Sequence, residues 1–351
     1  MNTSIDATQA DAAPRATRPA PHATHKLKWL LRREFWEHKG GVLWAPVWAG
    51  AISLLLTLMA LIFGEVAGRR AAAAGKFNID GEFRINGLDL GALTSSMDPD
   101  DMRKLAGGID IGMLGGAMWP LLVLGFVVFF YCLGSLYDER KDRSVLFWKS
   151  LPLSDRDTVL SKAASALLVA PTIAILVAVA CMFAFMLLLS GFVLLHNGDP
   201  LTLLWGPGSP LANAGLLLSM IPIYALWALP TAGWLLLCSA WANSKPFLWA
   251  ILIPVFAGIF ITWFDVMNLF HMDSSWFWKN VVARGLLSVF PGTWIDVMNF
   301  GAMSGDDMPS HAAILQSTYG VLTTPNLWIG AIAGIAMTVA AMRLRRWRDE
   351  G

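Results

Sequence analysis

Charge is what this chain of 351 residues has least of: Asp, Glu, Lys and Arg make up 15%, against about 25% in an ordinary soluble domain. So thin a polar shell cannot cover a chain that is 56% hydrophobic, with a mean hydropathy of +0.55. That excludes a soluble enzyme and a disordered chain. Cysteine is scarce as well. Cys132, Cys181 and Cys238 lie in apolar runs, in odd number and without metal-ligand spacing. They read as small apolar fillers, which excludes a disulfide-stapled module and a thiolate metal site. There is no G-x-x-x-x-G-K-[ST], so the chain hydrolyses no nucleotide through a P-loop. There is no H-E-x-x-H either. The net charge of +1 gives no bulk argument for nucleic acid. What remains is a multi-spanning membrane protein.

A span needs about 20 apolar residues, because a rise of about 1.5 Å per residue must cross roughly 30 Å of hydrocarbon. Stretches without Asp, Glu, Lys or Arg predict six: about 44–64, 112–137, 163–195, 212–241, 246–264 and 326–342. Residues 1–25, rich in Ala, Pro and Thr with no apolar core, read as a disordered cytoplasmic tail rather than a signal peptide. With both ends in the cytoplasm, 18 Lys and Arg fall inside and 8 outside. The positive-inside rule therefore selects the N-in, C-in arrangement, with residues 343–351 as a basic cytoplasmic tail. The expected fold is an all-α polytopic membrane protein with a transmembrane domain over 40–343.

No predicted span carries an interior charge or histidine. Ion-coupled carriers, voltage sensors and intramembrane proteases place such groups at mid-membrane. His196, His271 and His311 fall on the outer side and read as solvated surface histidines. Pro46, Pro120, Pro171, Pro222, Pro230 and Pro254 lie in spans, where kinks are tolerated because neighbouring groups re-satisfy the freed carbonyls.

Residues 26–39 precede the first span. Leu27, Leu31 and Phe35 share one face, Trp29 and Trp36 another, and the excess charge is basic. This predicts an amphipathic helix in the inner interface, with Trp at headgroup depth. Glu34 and His38 intrude on its leucine face.

The cytoplasmic loop 138–162 is the most specific feature. Its charged start extends the second span. Val145–Leu151 is apolar and aromatic but too short to cross, and Pro152 ends it. Ser154, Asp155, Arg156 and Asp157 then read as a helix start, with Ser154 as N-cap. Exposed Phe147 and Trp148 amid charges suggest a contact surface.

This segment resembles the permease subunits of ABC-2 type ABC transporters. That family commonly shows Glu-Arg, a small residue, an apolar stretch, Leu-Pro, a polar helix start and a Lys before the next span. Here these are Glu139-Arg140, Ser144, Val145-Leu146, Leu151-Pro152, Ser154-Asp155-Arg156 and Lys162. Arg143 stands where many members carry Gly. The resemblance implies a separate ATPase subunit as partner, with ATP bound there and no cofactor on this chain. It also implies a second permease, identical or homologous, and a bacterial plasma membrane. Glu139, Arg140, Asp142, Arg143, Phe147, Trp148, Leu151, Pro152, Ser154 and Asp155 would form the ATPase-coupling element. The same family commonly has short external helices dipping into the membrane before the last span. Ser288–Trp294 is similar to such a re-entrant element, with Pro291, Gly292 and Trp294 as candidates for an external gate.

Gly108, Gly112 and Gly116 form a small-residue stripe suited to close helix contact, read as packing within the chain. Three functions stay open: the permease of an ATP-driven exporter, an ATPase-linked membrane subunit without transport, and a membrane-embedded enzyme acting on lipid or peptide. The last lacks a convergent polar set within the spans.

Overall fold

A computed structural model describes residues 23–73, 83–84, 87–88, 98–143, 154–267, 273–295 and 310–348. Residues 1–22 of the predicted tail 1–25 and the loop centre 144–153 lie outside them. Among the described residues the chain is helical apart from a two-residue antiparallel ladder, Phe83–Arg84 with Gly87–Leu88. The helices are α1 Ala23–Glu37, α2 Ala45–Ala73, α3 Pro99–Gly134, α4 Tyr137–Lys141 and α5 Asp155–Leu195. There follow α6 Pro210–Trp227, α7 Leu229–Trp241, α8 Pro246–Val266, α9 over 274–287, α10 His311–Gly320 and α11 Pro325–Arg348. Six helical segments are long and apolar enough to cross a membrane. With no water in the hydrocarbon, only a helix satisfies its own backbone groups along such runs.

Prolines explain the irregularities. Pro46 and Pro171 each follow a π-turn, Gly40–Trp44 and Ser165–Val169. A π-turn shifts the hydrogen-bond ladder by one residue, just where the proline has no N–H to donate. Pro230 opens α7 after a break at Ala228. The expected span 212–241 is therefore two helices. Pro120, Pro222 and Pro254 lie within α3, α6 and α8. The second span also begins earlier than its apolar run. Asp98 stands at the N-cap, Pro99 at the first position, and Asp100 and Asp101 fill the first turn. So α3 begins about three turns before residue 112, where the predicted span starts.

The core lies where α7 meets α11, the most extensive helix pairing among the described residues. A Cβ on Gly233 would fall 2.3 Å from the Gly334 carbonyl oxygen, so the two backbones touch. Of the Gly stripe of α3, Gly112 and Gly116 face Phe185 of α5, where a Cβ would come within 3.2 and 3.9 Å, while Gly108 is exposed and faces open space. Helices α2 and α8 are peripheral. Only 17% and 11% of their most apolar windows are buried, against 44% for α6. Their remaining apolar surface faces outward, as expected beside lipid.

Arg33 of α1 and Arg345 of α11 both pair with Glu139, so α1 and the end of α11 share one end of the bundle. At the far end Asp110 Oδ1 accepts from the Ser209 amide at 2.8 Å and Asn213 Nδ2 at 3.0 Å. His311 Nε2 lies 2.9 Å from Asn213 Oδ1. His196 is buried, with Nε2 2.9 Å from Glu65 Oε2. These two histidines therefore tie helices together instead of standing in solvent. His271 lies outside the described residues.

Candidate functional site

The feature that organises the α1 end is a largely buried cluster of six charges from four helices, joined by a tyrosine from a fifth. Lys162, near the start of α5, places Nζ 3.0 Å from Glu34 Oε1 and 2.9 Å from Glu139 Oε1. Arg345, near the end of α11, puts Nη1 2.9 Å from Glu139 Oε2 and Nε 3.2 Å from Asp155 Oδ1. Arg33 of α1 reaches Glu139 Oε1 at 3.2 Å. Tyr131 of α3 donates its hydroxyl to Glu34 Oε2 at 2.8 Å. Three acids meet three bases, and Glu34, Glu139, Lys162 and Arg345 are all buried. Removing one partner from such a set strands the others in a poor solvent for charge.

The backbone delivers these groups by ordinary means. Leu136 and Tyr137 both donate their amides to Ser239 Oγ, at 3.0 and 2.9 Å, so the end of α7 caps the start of α4. Arg140 then donates to the carbonyls of Ser239 and Ala242, satisfying the C-terminus of α7. Ser154 caps α5, its Oγ accepting from the Asp157 amide at 3.1 Å.

The coupling residues read from the sequence thus separate into three groups. Glu139, Arg140 and Asp155 point into the protein and hold the flanks of the loop. Asp142, Arg143 and Ser154 are exposed. Phe147, Trp148, Leu151 and Pro152 lie outside the described residues. Arg143 has φ +55°, in the left-handed region that glycine favours.

Two members of the cluster were visible in the sequence only as oddities. The face of α1 that turns inward is not the predicted Leu27–Leu31–Phe35 face, of which Leu27 is 39% exposed, but the neighbouring one that carries Glu34 toward Lys162. Leu30 and Glu34 are buried together, whereas Trp29 and Trp36 are 64% and 59% exposed. Arg32 lies over the Trp29 ring and Lys39 over Trp36, at 5.6 and 4.9 Å. Arg345 looked like one more basic residue of the tail. Glu34, Glu37 and His38 come within 4.8 Å of one another. Both Glu34 oxygens already accept from Lys162 and Tyr131, so this trio does not fit a metal centre.

The gate candidates sit elsewhere, in the turn that follows α9. Gly292 has φ +85°, which the turn after Pro291 requires. Trp294 is buried. The turn is fixed by the Tyr224 hydroxyl donating to the Val289 carbonyl at 2.9 Å and Trp227 Nε1 donating to Thr293 Oγ1 at 3.0 Å. Phe290 fills the space left by Gly125, where a Cβ would lie 2.2 Å from its ring. Arg284, in the helix that leads into this turn, is buried.

No family model, no characterised protein and no solved structure matches this chain.

Proposed function

We propose that this chain is the membrane-spanning permease subunit of an ABC-2 type transporter, working as an exporter with a separate ATPase and a second permease. The ATPase carries the ATP. The residues that resemble the family are those of the loop between the second and third spans. The observation that carries the reading is the ion cluster at the flanks of that loop. Glu139 on one side and Asp155 and Lys162 on the other are locked to α1 and α11, and Arg140 to α7. A push on residues 144–153 is thereby transmitted to the second, third, fourth and last spans together, which a coupling element requires. Arg143 adds a second support: its left-handed backbone gives a physical reason for the glycine common in the family at that place. In this reading both ends of the chain are cytoplasmic, α1 lies along the inner interface of a bacterial plasma membrane, and α9 and its turn form the external gate.

The test is co-purification. The chain, extracted in mild detergent, should bring down an ATPase that carries a Walker A motif. Phe147→Ala with Trp148→Ala should leave the amount of permease in the membrane unchanged and deplete the ATPase. Aromatic anchors at interfaces commonly contribute about 2 kcal/mol or more each. Equal recovery with wild type and variant would contradict the docking assignment. A fall in permease abundance would make the two rings anchors in the bilayer or core.

A further inference from the structure

An open groove of about 530 Å³ lies beside the ion cluster, where the junction of α1 and α2 passes the end of α3. One wall carries Glu37, His38 and the π-turn that begins at Gly40. The other runs from Phe126 and Phe130 of α3 to Asp138. Glycine makes the space. A Cβ on Gly40 would meet nothing within 4 Å, and one on Gly134 would come within 2.6 Å of an Asp138 carboxylate oxygen, so that carboxylate lies back against the end of α3. The groove is polar at one end and apolar at the other. Glu37 and Asp138 stand at the level of the ion cluster. Phe126 precedes Gly134 by eight positions, which is about 12 Å along a helix toward the middle of the bundle. Its ring meets Phe290 edge to face at 5.1 Å, and the Phe130 ring stacks on Phe247 at 6.0 Å, so both are held in place.

Charge narrows the ligand. Among the described residues no Lys or Arg lines the groove. Arg33 holds Glu37 at 3.2 Å but is shared with Glu139. Lys39 lies over the Trp36 ring, and Arg140 is turned to the α7 carbonyls. Asp138 has no cationic partner among the described residues. The volume falls within the range of sites for drug-sized molecules. An anionic headgroup would be repelled at the carboxylate end, and a neutral lipid would gain nothing from it. We infer that the groove binds an amphiphilic organic cation, its head beside Glu37 and Asp138 and its apolar body against Phe126 and Phe130. The site is defined on this chain alone and does not rest on the transporter reading.

The experiment uses the full chain purified in neutral detergent. The probe is rhodamine 6G, and its control is fluorescein, a xanthene dye of opposite charge. Binding is read by fluorescence polarisation against empty micelles. The wild type should bind rhodamine 6G and not fluorescein. Glu37→Gln with Asp138→Asn should weaken rhodamine binding by roughly tenfold, and added salt should weaken it in the wild type. The double variant should melt with the wild type, because Asp138 is exposed and Glu37 lies in an exposed pair. Gly40→Leu keeps both carboxylates and occupies the open space, and it should weaken binding as well. Equal affinity for the two dyes, or unchanged rhodamine binding in the double variant, would overturn the inference and leave the groove as lipid-facing surface. So would a Gly40→Leu protein that binds like the wild type, which would place the cation on surface charge outside the groove. A double variant that loses binding only because it melts well below wild type would make the carboxylates structural and overturn it too.

Discussion

Two levels of this bundle treat buried charge in opposite ways. At the α1 end, Arg33, Lys162 and Arg345 meet Glu34, Glu139 and Asp155 within 3.2 Å. Midway along the bundle, where α6 gives way to α7, the Arg284 guanidinium has a tryptophan face and one long carbonyl contact. A matched set holds helices in one arrangement, because every charge loses its partner if one helix leaves. An unmatched charge leaves free energy to be gained by something that binds. The first arrangement suits a rigid transmitter at the root of a loop.

This contrast can be broken at its strongest point. Lys162→Met leaves Glu34 and Glu139 facing each other in the interior and should cost about 3–5 kcal/mol. The cost is read as a fall in melting midpoint and in yield from membranes. Arg345→Met should cost less, about 1–3 kcal/mol, since Glu139 keeps Lys162 and Arg33. If both variants melt with the wild type, the cluster does not hold the bundle. A smaller change sharpens the picture at the loop itself. Arg143→Gly should stabilise by up to about 1 kcal/mol by relieving the left-handed backbone. A loss of stability there would mean that the Arg143 side chain has a role its exposure does not suggest.

Much of this was legible in the sequence, for physical reasons that differ from residue to residue. Long apolar runs announce spans because the bilayer leaves the backbone no alternative to helix. Ser154 announced its helix by position. The break at Ala228 was hidden, because Pro230 looks like any tolerated membrane proline until its neighbours are known. The ion cluster was hidden more deeply. Its members lie at positions 33, 34, 139, 155, 162 and 345, and no spacing rule joins them. The one local sign was Glu34 on a leucine face, a break in pattern that marks a partner elsewhere. Arg284 gave no sign at all, since a cation between spans reads as a loop residue until the turn after it folds back onto α6 and α7.

The central claim is that the loop at the charge-matched end docks on an ATPase, and it is tested most directly by crosslinking in intact membranes. The native cysteines Cys132, Cys181 and Cys238 are buried, so single cysteines can be introduced at Trp148 in the loop and at Leu211, 79% exposed at the far end. A short thiol-to-amine crosslinker should join Trp148→Cys to an ATPase subunit and leave Leu211→Cys without that product. An ATPase adduct at Leu211→Cys, or none at Trp148→Cys in a chain that still brings the ATPase down, would contradict the account.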